Sequence, residues 1–298
     1  MQGVLNILKP PGMTSHDVVS FTRRTFGLKR VGHTGTLDPA AAGVLVVCLG
    51  SATRLVEYLQ TGSKEYIAEA TFGFETDTGD AVGSVVAESD ASHISLENLR
   101  AALDGFRGAI SQTPPMYSAI KKDGKKLYDM ARAGISEAEF EIPTREVEIS
   151  KLSVTQFFAP GSTSQSTPRA MLSVECSGGT YIRSLVRDIG RALGTHATMT
   201  FLMRTRSGAF EMESANTLEA IAAGWQSALI PMSQALDWCA PQTIIDDEAA
   251  AALSQGQPAQ IESDCERVAV WNTQRTLAAL ASRTSDKFYK PEKVFPLG

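Results

Sequence analysis

The residues best suited to chemistry gather in Gly32-His33-Thr34-Gly35-Thr36-Leu37-Asp38-Pro39. A carboxylate such as Asp38, with an ordinary pKa of about 3.9, is ionised at neutral pH and can attack an electrophilic carbon without a base to activate it. Gly32 and Gly35 allow backbone shapes that other residues resist, which suits a loop that presents a side chain. The same residues also fit a helix N-terminus, with Asp38 as the cap, Pro39 in the first helical position and Ala40 to Ala42 following. The two readings are compatible.

His33 is one of four histidines, with His16, His93 and His196, and no pair has metal-ligand spacing, so no metal is expected. It can contact phosphate, stack on a nucleobase or simply hydrogen-bond its own loop. Tyr181 and Arg183 stand two apart in what reads as a strand, which sends both to one face. An arginine there can hold a carboxylate such as Asp38 in a two-pronged pair, or lie on a solvated strand face. From Pro114 to Gly134 the chain mixes Pro114, Pro115, Met116, Tyr117 and Tyr128 with Lys121, Lys122, Lys125, Lys126 and Arg132. Interleaved basic and aromatic groups suit an RNA backbone with splayed bases, and equally a solvated loop. Arg187, Arg191, Arg204 and Arg206 offer a second phosphate-binding set.

The elements that must position these groups alternate irregularly. Val4 to Leu8 reads as a strand that Pro10, Pro11 and Gly12 stop. A helix follows, capped by Thr14 or Ser15, with Val18, Val19, Phe21 and Phe26 as its apolar side and Gly27 at its end. Val44 to Leu49 is an unbroken apolar run that fits a central strand or a buried helical turn. Tyr66, Ala68, Ala70 and Phe72 alternate with Ile67, Glu69 and Thr71, the period of a half-buried strand, in which a tyrosine belongs to core or catalyst. Ser95 caps a helix with Leu96, Leu99, Leu103 and Phe106 on one face. Leu172, Val174 and Cys176 mark another strand. Leu185, Val186, Ile189 and Leu193 line a helix that Gly194 ends, and a helix through Leu218, Ile221, Trp225 and Leu229 ends at Pro231. Without a steady beta-alpha-beta rhythm the class is α+β. Pro160 to Pro168 reads as a flexible surface insertion between strands, and from about residue 238 a second, small domain follows.

The chain has 298 residues and a formal charge of -5, which argues against an overall electrostatic grip on nucleic acid. Charge is segregated, however: residues 1 to 37 carry +4 and residues 64 to 100 carry -6. That permits a basic face on an acidic protein. Cys48, Cys176, Cys239 and Cys265 lie far apart with no C-x-x-C pair, which fits reduced thiols and the cytoplasm. No apolar stretch reaches the roughly 20 residues of a membrane helix, and the N-terminus lacks the build of a signal peptide.

Several long segments, in order, resemble the TruB family of bacterial tRNA pseudouridine-55 synthases. They are Leu8-Lys9-Pro10-Pro11-Gly12-Met13-Thr14-Ser15, Gly32 to Pro39 with Ala42-Gly43, Leu49-Gly50-Ser51-Ala52-Thr53-Arg54 and Thr76-Asp77-Thr78-Gly79-Asp80. Pro114 to Ala119, Gly124 to Tyr128, and Ser177 to Arg183 with Asp188-Ile189-Gly190 continue the likeness, which spans roughly residues 4 to 235. The resemblance implies a pseudouridine-synthase fold over residues 1–237, with a mixed, largely antiparallel central sheet flanked by helices and loops. Residues 238–298 would then be a small, mostly β, PUA-like RNA-binding domain.

It also implies roles. Asp38 matches the essential aspartate, Tyr66 the tyrosine that stacks under the target base and assists proton transfer, and Arg183 the arginine that pairs with the aspartate. His33, Tyr181, Lys9, Pro10 and Leu202 fall at substrate-binding positions, with Lys9 and Pro10 packed behind the pocket. Lys121, Lys122, Lys125, Lys126, Arg132, Arg204 and Arg206 are the expected contacts to RNA backbone. The implied reaction flips a T-loop uridine of tRNA out of its stack and isomerises it without cofactor or metal. Attack of Asp38 on ribose, attack on the uracil ring and elimination to a glycal all stay open. The protein is expected to act as a cytoplasmic monomer on the T arm of tRNA, with no membrane. Met203 departs from an arginine frequent in relatives, and the 160–168 insertion has no obvious counterpart. Two other classes compete: a tRNA-binding or folding module with secondary or lost catalysis, and a carboxylate glycosidase, for which no second carboxylate stands out.

Overall fold

The computed structural model describes residues 1–118, 142–161 and 167–297, with the backbone of residues 121–122 and 125–126. In chain order the strands are β1 (Gly3–Lys9), β2 (Val31–His33), β3 (Ala42–Leu49), β4 (Lys64–Phe72), β5 (Phe74–Thr76), β6 (Val85–Glu88) and β7 (Gly108–Gln112). They continue with β8 (Lys121–Lys122), β9 (Lys125–Lys126), β10 (Arg145–Phe158), β11 (Arg169–Cys176), β12 (Ala197–Ser207), β13 (Phe210–Glu211) and β14 (Leu229–Ile230). Last come β15 (Gln242–Ile244), β16 (Ala259–Gln260), β17 (Arg267–Trp271), β18 (Leu277–Ser285) and β19 (Phe288–Val294).

Ten strands make one sheet in the order β14-β1-β3-β12-β4-β11-β10-β7, with β2 on β3 and β13 on β12. All its pairs are antiparallel except β3 with β12. The class is therefore α+β, as the element pattern indicates, with the mixed, largely antiparallel central sheet that the family resemblance implies.

The ambiguous run at 44–49 is strand β3, and its two faces explain the missing alternation. Leu45, Val47 and Leu49 join Val18 and Val19 of the helix Ser15–Phe26 in one core cluster. Val44, Val46 and Cys48 face the other way, into a cluster with Trp271, Leu277, Leu280 and Phe295. A strand covered on both sides has no polar face to alternate with. A third cluster packs Tyr66, Ala68 and Ala70 of β4 and Leu172 and Val174 of β11 beneath Leu99, Leu185, Val186 and Ile189.

Local signals account for the helix that precedes the Asp38 loop. Thr14 accepts from the Asp17 amide while the Asp17 carboxylate accepts from the Thr14 amide, and Gly27 closes the helix in the left-handed region at φ 62. The helix at Leu218 is shorter than its apolar spacing implies. It ends at Gly224, a 3-10 turn spans Trp225–Ser227, and Leu229 pairs with Leu5 in β14. Leu229 lies against the Leu5 and Ile7 core from a strand.

Strands β15 to β19 form a second, five-stranded sheet in the order β15-β17-β18-β19-β16. It is tied to the main sheet by the shared core and by polar contacts: Tyr58 donates to Glu292 at 2.9 Å, Lys293 pairs with Glu57 at 2.5 Å, and Arg54 donates to the Val294 carbonyl. The insertion at Pro160 to Pro168 connects β10 to β11, and its residues 162–166 lie outside the described residues. Among the described residues no helix is long and apolar enough to cross a membrane. The four cysteines are free.

Gly43 is where the parallel β3–β12 contact is tightest. Its φ is +113, and a Cβ there would stand 2.2 Å from the Arg204 carbonyl oxygen. Gly43→Ala is expected to cost about 3 kcal/mol through strain and overpacking. Gly105, which has open space around it, should accept alanine within about 0.5 kcal/mol. Urea midpoints of the two variants check this, and equal midpoints would contradict it.

Candidate active site

Asp38 does not cap a helix. The Ala41 amide donates to the Asp38 carbonyl in a tight turn, and the chain enters β3 at Ala42. What would have been a helical start is held as a turn by the segment around Lys9. Lys9 is fully buried, and its ammonium donates to the carbonyls of Ala41 (2.6 Å), Pro10 (2.9 Å) and Pro39 (3.2 Å). The Gly12 amide donates to the Pro39 carbonyl at 2.8 Å. Ser15, the first residue of its helix, donates to the Leu37 carbonyl at 3.1 Å and accepts from the Leu37 amide at 2.9 Å. The backbone on both sides of Asp38 is thus pinned. Every described bond of the Lys9 ammonium goes to a backbone carbonyl, so the lysine holds the turn that carries Asp38, and Pro10 is half-buried beside it. Burial pushes the Lys9 ammonium down to about 8.

Arg183 meets Asp38 in a two-pronged pair, Nε to Oδ2 and Nη2 to Oδ1, each at 2.9 Å. The arginine side chain is 5% exposed and the aspartate 26%. The same guanidinium donates to the Thr78 carbonyl at 2.9 Å and the Tyr117 carbonyl at 3.0 Å. Burial raises the Asp38 carboxyl above its ordinary value, opposed by the Arg183 charge, while the nearby Asp80 adds to the rise.

The expected strand at Tyr181 and Arg183 is instead a helix start. Strand β11 ends at Cys176, and Tyr181 is the N-cap of the helix Ile182–Ala192. Arg183 therefore points to Asp38 from a first helical turn, not from a shared strand face with Tyr181. Tyr181 is locked through its backbone: its amide donates to Gln112 at 2.7 Å, and its carbonyl accepts from Gln112 at 3.0 Å.

Tyr66 and Leu202 are buried in one cluster with Leu37 and Ala41. Burial raises the Tyr66 phenol above its ordinary range, partly offset by the Arg204 charge, so at neutral pH it is a hydroxyl. His33 is half-buried, and its Nδ1 accepts from the Gly35 amide at 3.3 Å. Burial and the neighbouring Arg204 lower its pKa. It is therefore neutral near pH 7, with the proton on Nε2. Neither Gly32 nor Gly35 uses left-handed backbone; Gly35 instead leaves room for Arg204 Nη1, 3.5 Å from where a Cβ would stand.

The expected arginine contacts to RNA divide. Arg204 is 1% exposed and donates to the Val44 carbonyl at 2.8 Å and the Gly35 carbonyl at 3.1 Å, so it is an interior residue and not a backbone contact. It faces inward because β12 places it directly across from Tyr66. Arg206 is bound to Glu65 (2.7 Å) and Glu175 (2.9 Å). Arg187 is buried and paired with Asp188, while Arg191 is exposed and pairs with Glu75 at 3.2 Å. The backbones of Lys121 and Lys126 and of Lys122 and Lys125 pair in a two-stranded ladder, and Arg132 lies outside the described residues.

Sequence reasoning missed Ser15, Gln112, Lys64, whose Cε stands 3.9 Å from where a Gly35 Cβ would be, and the carbonyls of Thr78 and Tyr117 as parts of the site. Backbone acceptors carry no signal in residue type, although Thr78 and Tyr117 lie in segments that the family resemblance marks. Among the described residues no three His, Cys, Asp or Glu side chains are grouped to hold a metal.

The sequence matches the N-terminal domain of TruB family pseudouridylate synthases over residues 23–182, and the tRNA pseudouridylate synthase B C-terminal domain over residues 183–237. A protein named tRNA pseudouridine synthase B from Symbiobacterium thermophilum is 50% identical over 86% of this chain and 82% of its own length. That of Pelotomaculum thermopropionicum is 42% identical over 99% and 95%. Among solved structures, a Cbf5-Nop10-Gar1 complex contains a chain 28% identical, with a TM-score of 0.69, covering 98% of this chain and 84% of its own. The Asp38 loop, the arginine that grips it and the buried tyrosine thus stand within a likeness that runs from end to end, and the chain belongs to the TruB family of pseudouridylate synthases.

Proposed function

We propose that this protein isomerises uridine of tRNA to pseudouridine, acting at position 55 in the T loop. The observation that carries the catalytic reading is the two-pronged Arg183 grip on a carboxylate whose neighbouring backbone is pinned on both sides. Its support in kinship is the naming of the relatives as tRNA pseudouridine synthase B. A solved neighbour, 27% identical with a TM-score of 0.69, is an H/ACA RNP bound to a substrate RNA containing 2'-deoxyuridine.

The reaction breaks the bond from ribose C1' to uracil N1 and forms one from C1' to C5. N1 gains a proton and C5 loses one, so substrate and product are isomers and no oxidant or reductant is consumed. The target base must leave its stack, at a cost of a few kcal/mol. Asp38, ionised and held in one orientation by Arg183, acts on the ribose or the base. Tyr66 stacks under the uracil and assists loss of the C5 proton through water. Neutral His33 stacks on a displaced base, for which an uncharged ring suffices. Tyr181 and Leu202 border the uracil, and Lys9 and Pro10 position the Asp38 turn.

The T arm lies across the segment containing Lys121, Lys122, Lys125, Lys126 and Arg132. Strands β15 to β19 make their own sheet, which supports residues 238–298 as a small domain packed on the main sheet, and the resemblance to PUA-like tails makes it the RNA-binding one. A cytoplasmic location and action as a monomer complete the reading.

Asp38→Asn is expected to abolish pseudouridine formation in unmodified tRNA, mapped by chemical adduct and primer extension, while tRNA affinity stays within about threefold. Loss of affinity in parallel with activity would assign Asp38 to binding instead. The acid limb of the single-turnover rate should lie above the ordinary aspartate value, because activity requires the carboxylate and burial raises its pKa. Arg183→Gln removes the opposing charge and should move that limb up by about 1 to 3 pH units; an unmoved limb would contradict the pairing. Lys121→Glu with Lys122→Glu should weaken tRNA binding and lower the slope of log affinity against log salt by about one for each phosphate no longer neutralised. An unchanged slope removes that segment from the interface.

A further inference from the structure

The active face of the sheet carries more buried positive charge than its carboxylates neutralise. Lys64, Tyr66, Ala68 and Ala70 alternate along β4 and are all buried on one face, and Arg204 of β12 lies directly across from Tyr66. Arg204 is 1% and Lys64 7% exposed. Both approach Gly35 of the Asp38 loop: a Cβ there would stand 3.5 Å from Arg204 Nη1 and 3.9 Å from Lys64 Cε. Among the described residues neither is ion-paired. Arg204 donates to the carbonyls of Val44 and Gly35 and hydrogen-bonds the neutral Tyr66 hydroxyl, and Lys64 donates to the carbonyls of Gln60 at 3.0 Å and Gly62 at 3.5 Å. Fully buried Lys9 adds a third cation held only by carbonyls. The nearby carboxylates are Asp38, which Arg183 already occupies and whose charge also reaches Lys9, Asp80, which is bonded to Thr78 and the Val82 amide, and Asp17 near Lys9, which is bonded to Thr14.

Buried charges without counterions are costly, and their interaction with any anion that enters is correspondingly strong. The crowding is visible in Lys64, whose ammonium is pushed below its ordinary range by burial and by Arg204. Such an arrangement is wasteful for a neutral uridine and suited to a negative species.

Resting on the function proposed above, we infer that Arg204 and Lys64 provide a fixed positive field that stabilises uracil as an anion while it is detached from the ribose. When the C1'–N1 bond breaks, both bonding electrons remain on the base. The charge spreads over N1 and the carbonyl oxygens, beside the Tyr66 hydroxyl that Arg204 faces. Closure of the C1'–C5 bond returns the electron pair to the sugar; C5 then releases its proton to solvent and N1 takes one from solvent. The field is pre-organised, so it favours the charge-separated state over the bound uridine.

Leaving-group dependence separates this role from a structural one. A 5-fluoro substituent makes uracil a better leaving anion that needs less help. Single-turnover consumption is measured on tRNA carrying uridine or 5-fluorouridine at the target site, for Arg204→Met, Arg204→Lys and Lys64→Met. Arg204→Met should slow uridine by about 100-fold and 5-fluorouridine by roughly tenfold or less, and Arg204→Lys should recover most of the uridine rate. Lys64→Met should show the same ordering and carries the test alone if Arg204→Met does not fold. Equal slowing of both substrates in the folded variants, at unchanged tRNA affinity, would overturn the inference. A wild-type protein that converts no tRNA uridine would instead overturn the proposed function.

Discussion

The pair between Asp38 and Arg183 is the interaction around which the site is built. An arginine that is 5% exposed has lost its water, and a single carboxylate does not use all of its donors. The carbonyls of Thr78 and Tyr117 take the others. Four chain segments distant in sequence therefore converge on one guanidinium: the Asp38 loop, the turn before Asp80, the end of the Pro114 to Tyr117 segment and the helix Ile182–Ala192. Removing one partner of such a buried pair leaves the other uncompensated, which typically costs about 3 to 5 kcal/mol. Chemistry and local architecture thus share an anchor.

The sheet supplies the rest of the precision. Strand β3 follows the Asp38 turn directly, and its parallel contact with β12 brings Arg204 within reach of the Gly35 carbonyl. Because β3 is covered on both faces, by the helix Ser15–Phe26 and by the second sheet, its position is set by packing from two sides. The helix Ser15–Phe26 also contributes Ser15, whose hydroxyl meets both backbone groups of Leu37. The core and the Asp38 loop are held by the same elements, which is how a carboxylate raised in pKa by burial can be kept in one orientation.

Elements governed by local rules were legible in the sequence. Thr14, Gly27 and Ser95 terminate helices where their residue types place them, and the alternation from Tyr66 to Phe72 is a strand. The Asp38 cap failed although its local pattern is sound, because Lys9 and Gly12 bind the carbonyls of Pro39 and Ala41 and so compete with a helix there. Arg204 read as a surface charge because an arginine in a strand usually is one; only the register that sets it opposite Tyr66 makes it interior. The strand expected at Tyr181 is a helix N-terminus since the apolar spacing of Ile182, Leu185, Val186 and Ile189 extends back past Arg183. The pairing of Arg183 with Asp38 was legible through family resemblance, whereas its backbone acceptors carry no side-chain signature.

If this pocket moves the glycosidic bond of a tRNA uridine from N1 to C5, the hydrogen on C5 must leave. Release of tritium from unmodified tRNA labelled at uracil C5 measures that step most directly, since only bond formation at C5 expels the label. The expected result is one tritium released per tRNA, with pseudouridine forming at a single T-loop position at the same rate. Folded protein that binds the tRNA and releases no tritium would contradict it.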